Sequence, residues 1–230
     1  MITPKIYIIT EGQTETAFVN RVLKPYFKDK YFFPIMVETK VDKRVGKVFK
    51  GGVSNFQKIK NTIIKTIKSA EKDKNSYITT MFDFYAIPSD TPGLSQISTV
   101  RNPYDKVKKI EDAIFTEFSS FYRFFPYIQL HEFETLLYSD LTILEEECFD
   151  SDISKLKEEV KMYTNPELIN NSPETAPSKR IIRYIHGYDK VKNGVNVVNK
   201  IGIDKLCKQC RHFSEWIDKI NKISINKHDN

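Results

Sequence analysis

The sequence is poor in cysteine and in long apolar runs. Three cysteines in 230 residues are too few for a disulfide framework, and their odd number fits a reducing compartment. No apolar stretch approaches the ~20 residues that cross a bilayer, and the N-terminus lacks the basic, then apolar, then small pattern of a signal peptide. These absences argue against a disulfide-stabilised secreted protein and a membrane-spanning one, and we expect the chain to be cytoplasmic.

The composition is that of a soluble globular protein. Apolar residues make up 40% of the chain, aromatic residues 13% and charged residues 29%, which is far from a disordered or fibrous composition. The formal net charge of +6 permits a nucleic-acid partner without requiring one. The length fits one large domain, or one domain with a substantial extension.

Strand and helix patterns alternate in the first part of the chain. Apolar runs predict strands over residues 6–9, 31–41, 76–85 and 124–130. Apolar residues at helical spacing predict helices over 15–24, 54–70 and 104–122, and another that begins within 131–140. The alternation favours an α/β fold with a parallel sheet flanked by helices.

The last part of the chain shows no strand pattern. Beyond Leu141 the sequence predicts helices, with a Pro- and Asn-rich break at 165–177 and a final helix over 206–220. We therefore predict an α/β domain over residues 1–140 and a helical C-terminal extension, packed on it, over 141–230.

Carboxylates follow three of the predicted strands. Glu11 comes after the first strand, Asp83 ends the third, and Glu132 and Glu134 follow the fourth. The carboxyl ends of parallel strands converge on one crevice, where ligands bind. Carboxylates that share a site repel one another unless a cation lies among them, and oxygen ligands of this kind suit Mg²⁺ or Mn²⁺. We expect Gly12 to let the backbone turn tightly after Glu11.

Each acid also has a structural interpretation. Glu11 can favour the dipole of the helix that follows it, and Asp83 can cap or start a turn. Glu132 and Glu134 can lie at the solvated start of a helix. Their joint position after three strands is what favours a metal site.

Several stretches resemble one known family. "ITEGQTETAFV", a strand ending in "FDFY", "LHEFETLLY", "PETAPSKR", "GYDKVKNG" and "CRHFSEWI" resemble the Toprim-like family catalogued as DUF4276, a domain of unknown function. The resemblance covers nearly the whole chain. It implies a Toprim-like, Rossmann-like sheet similar to that of nucleases of the overcoming-lysogenization-defect type.

The resemblance also implies a magnesium site. Toprim domains hold Mg²⁺ with a Glu after the first strand and an Asp-x-Asp after the third, which correspond to Glu11 and Asp83 here. Tyr85 stands where the second Asp is expected. Either Glu132 or Glu134 supplies the missing oxygen, which we favour, or the site has lost its metal.

Three further groups are candidates for function. His131 can be a general base, a hydrogen-bond donor to phosphate or a helix cap. Cys207, Cys210 and His212 invite a zinc interpretation, but no second ligand pair accompanies them, so core packing is favoured. Two basic stretches can contact nucleic-acid phosphates or can be merely solvated. Their residues are Lys43, Arg44, Lys47 and Lys50 in a loop, and Lys179, Arg180 and Arg183 in a helix for which Ser178 is the candidate N-cap.

The function that the resemblance implies is metal-dependent hydrolysis of nucleic-acid phosphodiesters. Related Toprim-like nucleases resemble effectors of bacterial antiphage defence that work with a separate AAA- or ABC-type ATPase. This chain has no Gly-Lys phosphate-binding loop of its own, so we expect it to need such a partner. One alternative is a degenerate, non-catalytic module that binds an ATPase or nucleic acid. Another is a hydrolase of small phosphoesters. The sequence leaves DNA and RNA equally open as substrates.

Overall fold

The structure is a computed structural model. It describes residues 3–38, 41–42, 47–48, 53, 55–148, 151–170 and 172–223. These residues form two compact units. The first contains the described residues of Met1–Ile128 and of Ile223–Asn230, and the second contains those of Gln129–Lys222.

A parallel sheet organises the first unit. Its strand order is β2-β1-β5-β6, and β7 also pairs with β5. The pairings of β1 with β2 and β5, and of β5 with β6, are parallel. A separate antiparallel pair joins β3 to β4. The strands are β1 (Lys5–Thr10), β2 (Tyr31–Met36), β3 (Val41–Asp42), β4 (Lys47–Val48), β5 (Ser76–Asp83), β6 (Phe124–Phe125) and β7 (Ile128–Gln129).

Four helices accompany these strands. They are α1 (Gln13–Phe18), α2 (Lys24–Tyr26), α3 (Phe56–Ala70) and α4 (Pro103–Glu117), and a π-helical turn, Val19–Leu23, joins α1 to α2. The two long helices begin at local caps. The Asn55 side chain accepts a hydrogen bond from Lys58 N at the start of α3, and the Asn102 side chain accepts one from Tyr104 N at the start of α4. Both asparagines satisfy backbone donors that a helix leaves unpaired.

The predicted α/β class, a parallel sheet flanked by helices, is confirmed. Several predicted boundaries were too long. The second strand ends at Met36, the third ends at Asp83, and the helix that starts at Pro103 ends at Glu117. The predicted strand over 124–130 is two short strands separated by Pro126 and Tyr127, because a proline has no N–H for the strand ladder.

The second unit is built from short helices. They are α5 (Leu141–Glu147), α6 (Ser154–Val160), α7 (Pro177–Tyr184), α8 (Val195–Ile201), α9 (Ile203–Gln209) and α10 (Arg211–Asn221). A 3₁₀ helix, Phe133–Ser139, precedes α5, and a π-helical turn, Lys190–Gly194, precedes α8. The predicted break at 165–177 contains the 3₁₀ turns Pro166–Leu168 and Pro173–Thr175. In the part of the chain that the structure describes, no helix is both long and apolar enough to cross a membrane.

The predicted final helix over 206–220 was wrong in one respect. The chain leaves the helical conformation at Cys210 (φ −117°, ψ 99°), so that α9 and α10 are separate. The side chains of both helices still contribute to the core, where Leu206, Phe213 and Trp216 are buried. Helical spacing identified the buried face, but periodicity does not show a break of one residue.

Candidate active site

Hydrogen bonds fix the turn that follows β1. Gly12 N donates to Glu15 Oε2 at 2.9 Å, and Thr16 Oγ1 donates to Gly12 O at 2.8 Å. The Thr16 hydroxyl also lies 2.8 Å from Thr10 Oγ1. These contacts tie the end of β1 to the first turn of α1, so the backbone that carries Glu11 is held on both sides.

The prediction that Gly12 is needed for a tight turn was wrong. Its φ is −154° and its ψ is −162°, an extended conformation that any residue adopts. A Cβ built on Gly12 would lie 3.4 Å from Glu15 Oε2, which is an ordinary contact. The turn depends on the hydrogen bonds of Glu15 and Thr16.

Asp83 lies at the same edge of the sheet as Glu11. Thr10 of β1 pairs with Met81 of β5, so in register Glu11 is level with Phe82, and Asp83 is one residue further on. Neighbouring strands run ~4.8 Å apart, and both acids therefore sit where two adjacent parallel strands end. Asp83 is 5% exposed, while Glu11 is half-buried and lines a small hollow together with Val53, Ile59, Phe82 and the segment 86–88.

The structure adds a third carboxylate at this edge. Glu15 is 4% exposed, and its hydrogen bond to Gly12 N holds it beside the turn after β1. From the sequence, Glu15 was predicted only to start a helix. The signal that was missed is the spacing of three residues from Gly12, which is that of a side chain reaching back to an N-cap amide.

Tyr85, which replaces the expected second Asp, lies just beyond β5. It belongs to the 3₁₀ turn Phe84–Ala86, and its ring centroid is 5.7 Å from that of Phe84. The position therefore carries a half-buried aromatic ring two residues after Asp83. A phenol is a much weaker ligand for Mg²⁺ than a carboxylate.

His131 and its neighbours belong to the second unit. The His131 ring is 3% exposed, and its Nε2 lies 2.9 Å from Glu167 O. A carbonyl oxygen only accepts, so Nε2 carries the proton and donates it. His131 also has a φ of 62°, which is uncommon for a non-glycine residue. Among the three predicted roles, this geometry favours a structural one.

Glu132 is bound to a helix that is distant in sequence. Its Oε2 accepts a hydrogen bond from Ser178 N at 2.9 Å, in the first turn of α7. The N-cap of α7 is Ala176, so the prediction that Ser178 is the cap was wrong. Glu132 provides an acceptor and a favourable charge at this helix N-terminus. The hydrogen bond from Ser178 N uses only part of the acceptor capacity of the carboxylate.

Glu134 is buried and paired with a lysine. Its side chain is 1% exposed, and Lys190 Nζ lies 3.1 Å from Glu134 Oε2. The interpretation of Glu134 as a solvated acid was wrong. Burial, and next the charge of Glu134, raise the pKa of the Tyr188 hydroxyl well above its ordinary value. Burial also raises the pKa of Tyr138, whose hydroxyl donates to Pro177 O at 2.9 Å.

The predicted ligands are thus found in both units. Glu11 and Asp83 are at neighbouring strand ends of the first unit, whereas Glu132 and Glu134 belong to the second. Within either unit, the described residues contain no group of three or more His, Cys, Asp or Glu side chains arranged to hold a metal ion. The site formed by Glu11, Asp83 and either Glu132 or Glu134 stays a prediction.

The predicted basic residues have different surroundings. Lys43, Arg44 and Lys50 lie outside the described residues, and Lys47 is the first residue of β4. In the second unit, Arg180 is 9% exposed and pairs with Glu159 at 3.0 Å.

Arg183 also pairs with Glu159, at 3.3 Å, but is half exposed. Lys179, the third residue of this stretch, is exposed. Arg180 therefore has an internal ion-pair partner, which leaves Lys179 and Arg183 as the more accessible cations of the stretch.

The cysteines are part of the packing of the second unit. Cys210 is buried, and its Sγ lies 3.4 Å from Ser139 Oγ. Burial raises the pKa of the Cys207 thiol to about 11 and that of Cys210 further. Thiols held in the neutral form by burial are poor nucleophiles and poor metal ligands, which agrees with the preference for core packing.

Comparison with known proteins identifies a family. The model of the family described as "Domain of unknown function (DUF4276)" matches residues 10–221. No curated protein matches the chain significantly. Among solved structures, the C-terminal region of the Burkholderia pseudomallei OLD protein is similar, with 15% identity, coverage of 97% of this chain and 100% of that chain, and a TM-score of 0.44. A TM-score this low carries no argument about fold or function.

Proposed function

The chain belongs to the DUF4276 family, and we propose that it is a divalent-metal-dependent nuclease that hydrolyses nucleic-acid phosphodiesters. We further propose that it is the effector of a bacterial antiphage defence system and works with a separate ATPase. The observation that carries the nuclease proposal is the position of Glu11 and Asp83 at the carboxyl ends of two neighbouring parallel strands.

The residues present fit a hard divalent cation. Glu11 and Asp83 offer carboxylate oxygens from one edge of the sheet, and Glu15 is hydrogen-bonded to the turn that follows β1. Acids gathered at one edge repel one another, and a cation relieves that repulsion. Carboxylate oxygens bind Mg²⁺ or Mn²⁺ in preference to softer metals.

Each side chain has a defined task in this proposal. Glu11 and Asp83 hold the metal, and the fixed turn after β1 keeps the Glu11 backbone in place. On sequence grounds, Glu132 or Glu134 stays the proposed replacement for the carboxylate that Tyr85 does not supply. A bound Mg²⁺ supplies an activated water and stabilises charge on the leaving oxygen.

Contacts with nucleic acid are assigned to exposed cations. Lys179 and Arg183 are the accessible basic residues of the α7 stretch, and Lys43, Arg44, Lys47 and Lys50 remain candidates on sequence grounds. Cations at several positions bind the phosphate backbone without reading bases. Arg180, which is paired with Glu159 in the second unit, has mainly a structural part in this proposal.

Calorimetric titration with MnCl₂ tests the metal site directly. Wild-type protein is compared with Glu11→Gln, Asp83→Asn and the control Glu38→Gln. The control residue also follows a strand of the sheet, but its side chain is 78% exposed and lies 3.5 Å from Lys65. We expect Mn²⁺ binding in the wild type and in the control, and its loss in the other two variants.

Nuclease activity is then measured on labelled single-stranded DNA, double-stranded DNA, RNA and a small phosphodiester. Cleavage of a polymer that needs Mg²⁺ or Mn²⁺ and is lost with Glu11→Gln supports the nuclease. Nucleic-acid binding that is tight, independent of metal and unchanged in Glu11→Gln would instead identify the degenerate module that Tyr85 makes the main alternative. Hydrolysis confined to the small substrate would identify a phosphoesterase.

A further inference from the structure

We propose that one face of β2 binds single-stranded nucleic acid. Three rings form the binding surface, the aromatic strip, which consists of Tyr7 in β1 and of Tyr31 and Phe33 in β2. Bases stack on these rings, and neighbouring lysines contact the phosphates. The inference rests on the proposed function and deepens it, because it names a single strand as the substrate that reaches Glu11.

The three rings lie on one face of the sheet. Tyr7 of β1 is the register partner of Phe33 in β2, and Lys5 is the partner of Tyr31. Side chains two residues apart in a strand point to the same face. The ring centroids of Tyr7 and Phe33 are 5.2 Å apart and the rings are stacked. Tyr31 is 59% exposed and Phe33 is 41% exposed, so the strip offers aromatic surface to solvent.

The two faces of β2 differ in their cover. Phe32 points to the opposite face and is 2% exposed, and its ring centroid is 5.3 Å from that of Phe27, which follows α2. The helix on the face of the strip is α3, because Lys5 Nζ lies 3.0 Å from Asp73, just beyond the end of that helix. Helix α3 packs on β1 and β5. It therefore covers the inner strands and leaves the rings of β2 open.

Lysines of α3 lie along the strip. Glu38, two residues after β2, lines a hollow together with Asn61 and Lys65 of α3. The helix therefore runs beside β2, from Glu38 at one end to Lys5 at the other, and the exposed Lys68 follows Lys65 by one turn. Lys65 lies 3.5 Å from Glu38, but the two side chains are 68% and 78% exposed, and such pairs are weak. Cations beside open rings suit a phosphate backbone with unpaired bases.

The open edge of β2 does not suit a strand from another protein. Tyr31 N donates to Pro4 O at 2.9 Å, and Val37 N donates to Thr10 O at 3.0 Å. The odd-numbered residues of β2 therefore bond to β1, and the even-numbered ones face outwards. Pro34 is the central outward residue and has no N–H, so it interrupts any added ladder. What β2 presents to a partner is the side chains of the strip.

The strip leads to the edge of the sheet that carries Glu11. Phe33 is level with Tyr7, four residues before Glu11, which corresponds to ~13 Å along a strand. Glu11 shares its hollow with Ile59 of α3, the helix that lies on the face of the strip. A strand held on the rings therefore extends towards the proposed metal site. A duplex keeps its bases stacked inside and does not offer them to the rings.

Fluorescence polarisation with labelled oligothymidylate, oligouridylate and a duplex tests the strip. The full chain is used in EDTA, so that no metal-dependent cleavage occurs. We expect single strands to bind more tightly than the duplex. Tyr31→Ala and Phe33→Ala should each weaken single-strand binding about tenfold, since a stacking ring is lost. Tyr31→Phe keeps the ring and should match the wild type, as should the control Tyr122→Ala, whose residue is 79% exposed just before β6.

The salt dependence of binding tests the lysines. Lys65→Gln should reduce the slope of log K against log salt concentration by about 0.7, the value for one phosphate contact in a single strand. Lys109→Gln, at an exposed position of α4, is the matched control and should leave the slope unchanged. Equal slopes for the two variants would show that α3 does not contact the phosphates as proposed.

The proposal is overturned if the wild type does not bind single strands, or if Tyr31→Ala and Phe33→Ala bind them as the wild type does. It is also overturned by self-association that is lost in Tyr31→Ala, because the strip then serves a second copy of the chain. If Phe33→Ala does not fold, Phe33→Leu replaces it with the same expectation. Failure of the proposed function is distinct, because cleavage is then absent and Mn²⁺ binding is unaffected by Glu11→Gln, while single strands still bind the strip.

Discussion

The acids that follow strands have different partners in the two units. In the first unit, Glu11 and Asp83 lie at adjacent strand ends. Local asparagine caps begin the two long helices of this unit, and Asp90 also accepts a hydrogen bond from Phe56 N, at the start of α3, across 34 residues. In the second unit, carboxylates reach helices far along the chain. Glu132 accepts from Ser178 N, and Glu167 accepts from His212 N and Phe213 N, across 45 or 46 residues.

This difference shows that an acid that follows a strand can have one of two roles. Acids that share one edge of a sheet suit a cation, whereas an acid bound to the N-terminus of a distant helix holds two segments together. In "LHEFE", Glu132 is an acid of the second type because it accepts a hydrogen bond from the first turn of α7, whereas Glu134 pairs with the side chain of Lys190.

The largest expected effect comes from removing the buried distant cap. Glu167→Ala leaves the amides of His212 and Phe213 without their carboxylate acceptor at the start of α10, and we expect the free energy of unfolding to fall by about 3 kcal/mol. Trp216, the single tryptophan, lies in α10 and reports unfolding of this unit by fluorescence in urea. The exposed Glu215→Ala in the same helix should cost less than about 0.5 kcal/mol. Equal costs for the two variants would contradict the comparison.

A second change tests how tightly the second unit is packed around Glu134. Gly194 has a helical φ of −58°, so Gly194→Ala adds no backbone strain, but its Cβ would meet the Tyr188 hydroxyl at 2.6 Å. We expect a loss of roughly 1–3 kcal/mol from overpacking, measured by the same fluorescence.

Gly202→Ala is the matched control for the Gly194 variant. Its φ is 79° and nothing lies within 4 Å of the added Cβ, so it should cost only the backbone strain of about 1–2 kcal/mol. A stabilising Gly194→Ala would show that the space beside Tyr188 is larger than the structure indicates.

A third change addresses the local caps of the first unit. Asn102→Ala removes the acceptor for Tyr104 N at the start of α4, and we expect a loss of about 1 kcal/mol, measured as faster amide exchange in α4. Asn102→Ser restores a good cap and should return the exchange rates to those of the wild type. The effect should stay within the first unit and leave Trp216 fluorescence in urea unchanged, and a shift there would show that local caps also stabilise the second unit.

The smallest effect is a pH dependence in the second unit. Burial alone would raise the pKa of Glu159, but the hydrogen bond from Tyr184 and the charges of Arg183 and Arg180 outweigh it and lower the pKa below 4.5. The stabilisation is therefore present above pH 4.5 and is lost as the pH falls through the lower, folded-state pKa.

Glu159→Gln tests this sign. Its unfolding temperature should lie below that of the wild type at pH 6, and the gap should close as the pH falls below 4.5, because the wild type loses the same interactions. Glu158→Gln, next to it but 68% exposed, should show no such gap. A gap that widens on acidification would reverse the assigned sign.

Much of the first unit could be predicted from the sequence, for local reasons. The apolar runs predicted β1 and β5, and the spacing of isoleucines predicted α3. The positions of Glu11 and Asp83 at strand ends were also predicted, because the length of a strand and the place of an acid after it depend on local sequence. The prediction for Gly12 failed because hydrogen bonds of Glu15 and Thr16 fix the turn. The strand over 124–130 failed at Pro126, whose missing N–H interrupts the ladder.

The sequence by itself determined which segments are strands or helices, which faces are apolar and which acids follow a strand, since these depend on residue order and spacing. Only the tertiary structure decided the partners. Glu167 binds α10, Glu132 binds α7 and Glu134 meets Lys190 because folding brings together residues that are tens of positions apart. No local spacing specifies such pairs, because they form only when the folded chain brings the two segments together.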